Sequence, residues 1–75
     1  MASLPVLKPS EVIKVLVNKA GFMVDHVSGS HYALWHPQTG RRVTVPYHNR
    51  ELKSGTLHSI IKQSGLSREE FIRLI

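Results

Sequence analysis

Apolar residues recur along the chain with two different periods, and the changes between them divide it into elements. In PSEVIKVLVNKAGF (9–22), Ile13, Leu16, Val17 and Ala20 fall at i, i+3, i+4 and i+7, with Glu11, Lys14 and Asn18 on the opposite side. That spacing predicts an amphipathic first helix. Pro9, Ser10 and Glu11 supply start signals, and Gly21 stands at a C′ stop position. Four β-branched residues in this stretch favour extended backbone. The helical period and the two end signals outweigh them.

Beyond Gly21 the reading changes to strands. FMVDHV (22–27), HYALWHP (31–37) and RRVTVPY (41–47) are separated by the turn-rich SGS (28–30) and QTG (38–40). Turns this short predict an antiparallel meander. In the third strand Arg41, Val43, Val45 and Tyr47 share one face, and Arg42 and Thr44 the other. Pro46 lacks an N–H, so the end of that strand is at an edge or fraying. A polar loop, HNRELKSG (48–55), leads to Thr56 as N-cap of LHSIIKQS, with Leu57, Ile60 and Ile61 as its apolar stripe and Gly65 as its stop. Ser67 and Glu70 form a capping box for a last helix, REEFIRLI. The order α-β-β-β-α-α predicts an α+β fold, a three-stranded antiparallel sheet with its helices on one face. The 75 residues make one domain. Residues 1–8 lie ahead of the first helix, and the pattern leaves open whether they pack on the core or stay loose.

Composition narrows what such a domain can do. Without cysteine, neither a disulfide nor a thiolate zinc site can staple it, which suits a reducing cytoplasm. No apolar run approaches the ~20 residues of a membrane span, and the N-terminus has no secretory pattern. Ten Lys and Arg against five Asp and Glu give a net charge of +5. A basic surface favours a polyanionic partner: nucleic acid, an acidic protein or a membrane surface.

Five histidines, at 26, 31, 36, 48 and 58, are the conspicuous chemical groups. Their spacing through the hairpin sends successive rings to opposite faces or different strands, which predicts no metal site. Ser30 and His31 point apart in a strand, so they make no nucleophile–base pair. A glycine-rich phosphate loop is absent, although KSGTL opens onto a helix N-terminus that can hold a phosphate. RNA supplies its own nucleophile, the 2′-OH, so a protein need only move protons and neutralise the phosphate. His31 is the candidate proton carrier. Arg41, Arg42, Arg50, Lys53 and Lys62 are the candidate phosphate ligands. Tyr32 and Trp35 can stack bases, but strand aromatics in so small a protein are more often core. His36, before Pro37, reads as a strand-end stabiliser.

The sequence closely resembles the HicA family, toxins of HicAB toxin–antitoxin systems. The resemblance runs from the first helix to the C-terminus, through Gly21-Phe22, Gly29-Ser30-His31, His36-Pro37, Val45-Pro46, Gly55-Thr56-Leu57 and Phe71. It implies a fold like the double-stranded-RNA-binding domain. It also implies a cytoplasmic, metal-independent endoribonuclease (an mRNA interferase, with tmRNA a further target) that needs no cofactor and is neutralised by a HicB-type antitoxin. The family's catalytic histidine falls on His31, with Gly29 and Ser30 shaping its turn. Two departures stand out: Tyr32 occupies a position where some members carry a second histidine, and the N-terminus is longer than in the shortest members. A non-catalytic RNA-binding module and a pure protein-interaction subunit are the rival readings. Loss of His31 would be tolerated by the first, and the second would show no salt-sensitive affinity for RNA.

Overall fold

A computed structural model describes residues 3–75 and contains six elements: α1 (Pro9–Lys19), β1 (Met23–Ser28), β2 (His31–Trp35), β3 (Arg42–Pro46), α2 (Ser54–Ser64) and α3 (Arg68–Leu74). The strands form one antiparallel sheet in the order β1-β2-β3. The α+β class and the element order expected from the sequence are both present.

Each helix end has a local cause. Glu11 accepts a hydrogen bond from the Lys8 amide at the start of α1 (2.8 Å), and Pro9 occupies the first turn. Gly21 ends α1 with φ 84°, which lets the Phe22 amide close back onto the Leu16 carbonyl (3.0 Å). Ser67 and Glu70 make the expected reciprocal capping box at α3. The start of α2 differs from expectation. Lys53, not Thr56, is its N-cap, because the Leu57 amide reaches the Lys53 carbonyl (3.0 Å) and His58 Nδ1 donates to the Ser54 carbonyl (2.8 Å). Those bonds start the helix at Ser54, three residues earlier in the chain than expected.

The core lies between the helices and one face of the sheet. Leu34, Val43 and Val45 meet Val12, Leu16, Leu57, Ile60 and Phe71 there, all of them buried. In α1 the buried stripe is centred on Val12 and Leu16, with Ile13, Val17 and Ala20 only partly covered. The β-branched residues make several sides of this helix apolar, and contact with the sheet selects the Val12–Leu16 line. Residues before α1 join the core as well. Leu7 is buried, Leu4 packs against the cluster, and the Leu52 amide donates to the Leu7 carbonyl (2.7 Å).

The two sheet edges differ. On β3 the Thr44 amide donates to Gln63 of α2 (3.0 Å), and Pro46 has no amide hydrogen to offer. On β1 every residue is exposed, and the register with β2 shifts between Val24 and His26, a bulge at Asp25.

Candidate nucleic-acid site

Gly29 and Ser30 join β1 to β2 in a two-residue turn flanked by the pair Ser28 and His31. Gly29 has φ 57°, which fits the first central position of a type II′ hairpin turn. His31 is thus the first residue of the central strand. Leu34 points into the core, so alternation sends His31, Ala33 and Trp35 to the opposite, uncovered face. The His31 imidazole is exposed and makes no hydrogen bond or ion pair with the described residues.

Its neighbour on the other side is Pro46 of β3. Just past Pro46 the Tyr47 amide donates to the Ser30 carbonyl, which holds the Gly29–Ser30 turn against the end of β3. Pro46 also lines an open groove of about 510 Å³, with His48, Arg50, Glu51, Leu52, Lys53 and Thr56. The groove therefore adjoins the end of the sheet that carries His31. Its rim holds two permanent cations, Arg50 and Lys53, and one carboxylate, Glu51. The N-terminus of α2 opens onto it, with no side-chain cap and no acid in its first turn. A helix start in that condition presents free amides and a positive dipole end to an anion.

The five basic candidates fall into two groups. Arg50 and Lys53 line the groove next to Pro46. Arg41, Arg42 and Lys62 are at the far end of β3 and α2: Thr44 bonds Gln63 near the end of α2 while Pro46 shares the groove with Lys53 and Thr56 at its start, so the two elements run antiparallel. Arg42 is paired there with Asp25 (3.1 Å), and the Arg41 guanidinium packs over Gly65 at the end of α2. The two groups are separated by the length of a short strand, roughly 13 Å. Asp25 also accepts from His26 Nδ1 (3.0 Å), and the His26 and Arg42 bonds together hold its carboxyl below the usual carboxylate range. Nothing along the chain marks this acid's partners, because the bulge at Asp25 exists only in the paired sheet.

The other histidines are occupied structurally. His36 Nδ1 accepts from the Gln38 and Thr39 amides (3.2 and 3.3 Å) and its ring meets Phe22 edge-on at 5.0 Å, a strand-end role as expected. His48 Nδ1 accepts from the Arg50 amide (3.1 Å), and His58 is bonded within α2. Among the described residues no three His, Asp or Glu side chains assemble as a metal-binding group.

The two strand aromatics part company. Tyr32 packs against the core and stacks on Tyr47, with ring centroids 4.7 Å apart. Trp35, expected as core, is instead half-buried on the uncovered face and takes no part in the core cluster. The reason is strand parity: with Leu34 inside, its neighbour must face outward.

A small α+β domain with an exposed histidine at a sheet end, beside a basic groove, defines a class of compact basic proteins suited to an anionic partner. Within that class the family is shown by comparison. Residues 9–66 match the family model described as the HicA toxin of bacterial toxin–antitoxin systems, so the chain belongs to the HicA toxin family. A comparison with curated proteins gave no significant match. Among the described residues no helix is long and apolar enough to cross a membrane.

Proposed function

We propose that this toxin is a metal-independent endoribonuclease in which His31 moves a proton during cleavage of mRNA. The observation that carries the reading is the exposed imidazole of His31, without a hydrogen-bond or ion-pair partner among the described residues, at the start of the central strand and one cross-strand step from the Arg50–Lys53 groove. RNA places a 2′-OH next to each phosphate. Loss of its proton lets that oxygen attack phosphorus, and the 5′-oxygen leaves once it gains a proton. An imidazole serves either transfer, as base toward the 2′-OH or as acid toward the leaving oxygen. Arg50, Lys53 and the α2 N-terminus offset the charge that develops on the phosphoryl oxygens. Arg41, Arg42 and Lys62 extend the positive field along the flanking strand of RNA. Gly29 and Ser30 present the histidine.

A HicB-type antitoxin completes the reading. An acidic protein seated over His31 and the groove blocks RNA by sterics and by competing for the same cations.

The test is cleavage of a labelled single-stranded RNA in excess EDTA by wild type and His31→Ala. Cleavage by wild type alone, leaving a 2′,3′-cyclic phosphate, is the expected result. Equal cleavage by both proteins would remove His31 from the chemistry. RNA binding without cleavage by either would convert the reading to a non-catalytic RNA-binding module.

A further inference from the structure

We infer that the uncovered face of the sheet is the binding track for a single-stranded segment of the RNA, with one base stacked on Trp35. This rests on the ribonuclease reading above and names the form of substrate it takes.

The helices cover one face of the sheet only, so the other is a solvent-facing platform. Along its central strand His31, Ala33 and Trp35 project in line, and the small Ala33 leaves a low floor between the imidazole and the indole. His31 and Trp35 are four residues apart in an extended strand, roughly 13 Å. A short run of nucleotides bridges that distance, so a phosphate at His31 and a base at Trp35 belong to one strand.

Strand parity turns Trp35 outward, and on that face the ring serves no packing role. It contributes nothing to the core cluster and has no aromatic partner among the described residues. Its cross-strand neighbours are Met23 and Arg42, both exposed. A half-buried ring on an uncovered face, with a guanidinium beside it and a thioether opposite, is a stacking platform with a phosphate ligand at its rim. The acid nearest this end of the face, Asp25, is already engaged by Arg42 and His26. That pair is solvent-exposed, and an RNA phosphate can take the place of the carboxylate at Arg42. Charge and shape thus favour a polyanion carrying flat, unpaired bases. A duplex keeps its bases stacked on each other and offers none to the indole.

Trp35 is the only tryptophan in the chain, so its emission reports on the platform directly. Full-length His31→Ala protein would be titrated with a single-stranded oligoribonucleotide and with a blunt RNA duplex of the same length. Quenching that saturates with the single strand, and little with the duplex, is expected. Trp35→Ala in the same background should bind the single strand about tenfold more weakly by anisotropy, with Trp35→Phe close to the parent. The melting temperature of Trp35→Ala should stay near that of the parent, since the ring lies off the core. Preferential quenching by the duplex would overturn the inference. So would binding of the single strand with unchanged emission and no cost from Trp35→Ala, although the ribonuclease reading would survive that result. Absence of any RNA binding, with no cleavage by wild type, would overturn both.

Discussion

Arg42 on β3 reaches over the central strand to Asp25 on β1, with 3.1 Å between Nη1 and Oδ2, on the face that also carries His31 and Trp35. The pair ties the outer strands together and holds one of the chain's five acids against its basic surface. Asp25→Asn removes that charge and frees Arg42. Single-stranded RNA should then bind more tightly, with the slope of log K against log salt steeper by about 0.7 for one added phosphate contact. Filter binding at several salt concentrations measures it; an unchanged slope would mean that Arg42 does not contact RNA.

Acid stability should follow two carboxylates. Asp25 is held low by the bonds from His26 and Arg42, and Glu70 by its bonds with Ser67, with Arg73 a lesser contributor. A carboxyl whose folded pKa lies below its unfolded one stabilises the fold above the unfolded value, and that contribution is lost as pH falls through the folded value. Stability should therefore be flat near neutrality and decline below about pH 4. Glu70→Gln should lower the stability measured near neutrality and flatten the decline in urea melts across pH.

The two groups of cations should differ in cleavage assays. Lys53 lines the groove beside Pro46, whereas Lys62 is in the last turn of α2. Lys53→Ala is expected to lower kcat/KM by tenfold or more, about the 1.4 kcal/mol of a charge-assisted phosphate contact. Lys62→Ala should act mainly through KM and should lose its effect in high salt. Equal losses in kcat would show that the groove is not where the phosphate reacts.

Gly21 and His36 are coupled by close packing. A Cβ on Gly21 would stand 3.0 Å from His36 Nε2, at a backbone φ of 84° that side chains disfavour. Gly21→Ala should cost about 1–2 kcal/mol from the backbone alone. His36→Ala relieves the contact but not the backbone, so the double variant should be less destabilised than the sum of the singles. Urea denaturation of the four proteins gives the coupling energy.

The segment ahead of α1 should matter for stability. Leu7 is buried and its carbonyl accepts from Leu52. Leu7→Ala should cost about 2–4 kcal/mol, a large fraction of what a domain this small has. A change below about 0.5 kcal/mol would mean that the segment adds little to the fold.

Much of this protein is legible in its sequence because the controlling interactions are local. The capping box at Ser67 and Glu70, the stop at Gly21, the Gly29–Ser30 turn and the strand alternation around Leu34 each depend on residues a few positions apart. They specify the element order and, through it, the α+β class. The Gly29-Ser30-His31 turn likewise singles out His31 as a candidate from neighbouring residues alone. Tertiary structure decided what local signals leave degenerate. Val12 and Ile13 are both apolar, and only contact with the sheet placed Val12 at the centre of the buried stripe. Helix propensity allows α2 to begin at either Ser54 or Leu57, and hydrogen bonds to Lys53 and Ser54 set the earlier start. The five cations look equivalent along the chain, yet the antiparallel placement of α2 on β3 put Lys53 in the groove beside Pro46 and Lys62 at the other end of the helix. Trp35 faces out and Asp25 meets Arg42 because parity and the bulge in β1 are fixed by strand pairing. Pairing is non-local, so no short window of sequence contains it.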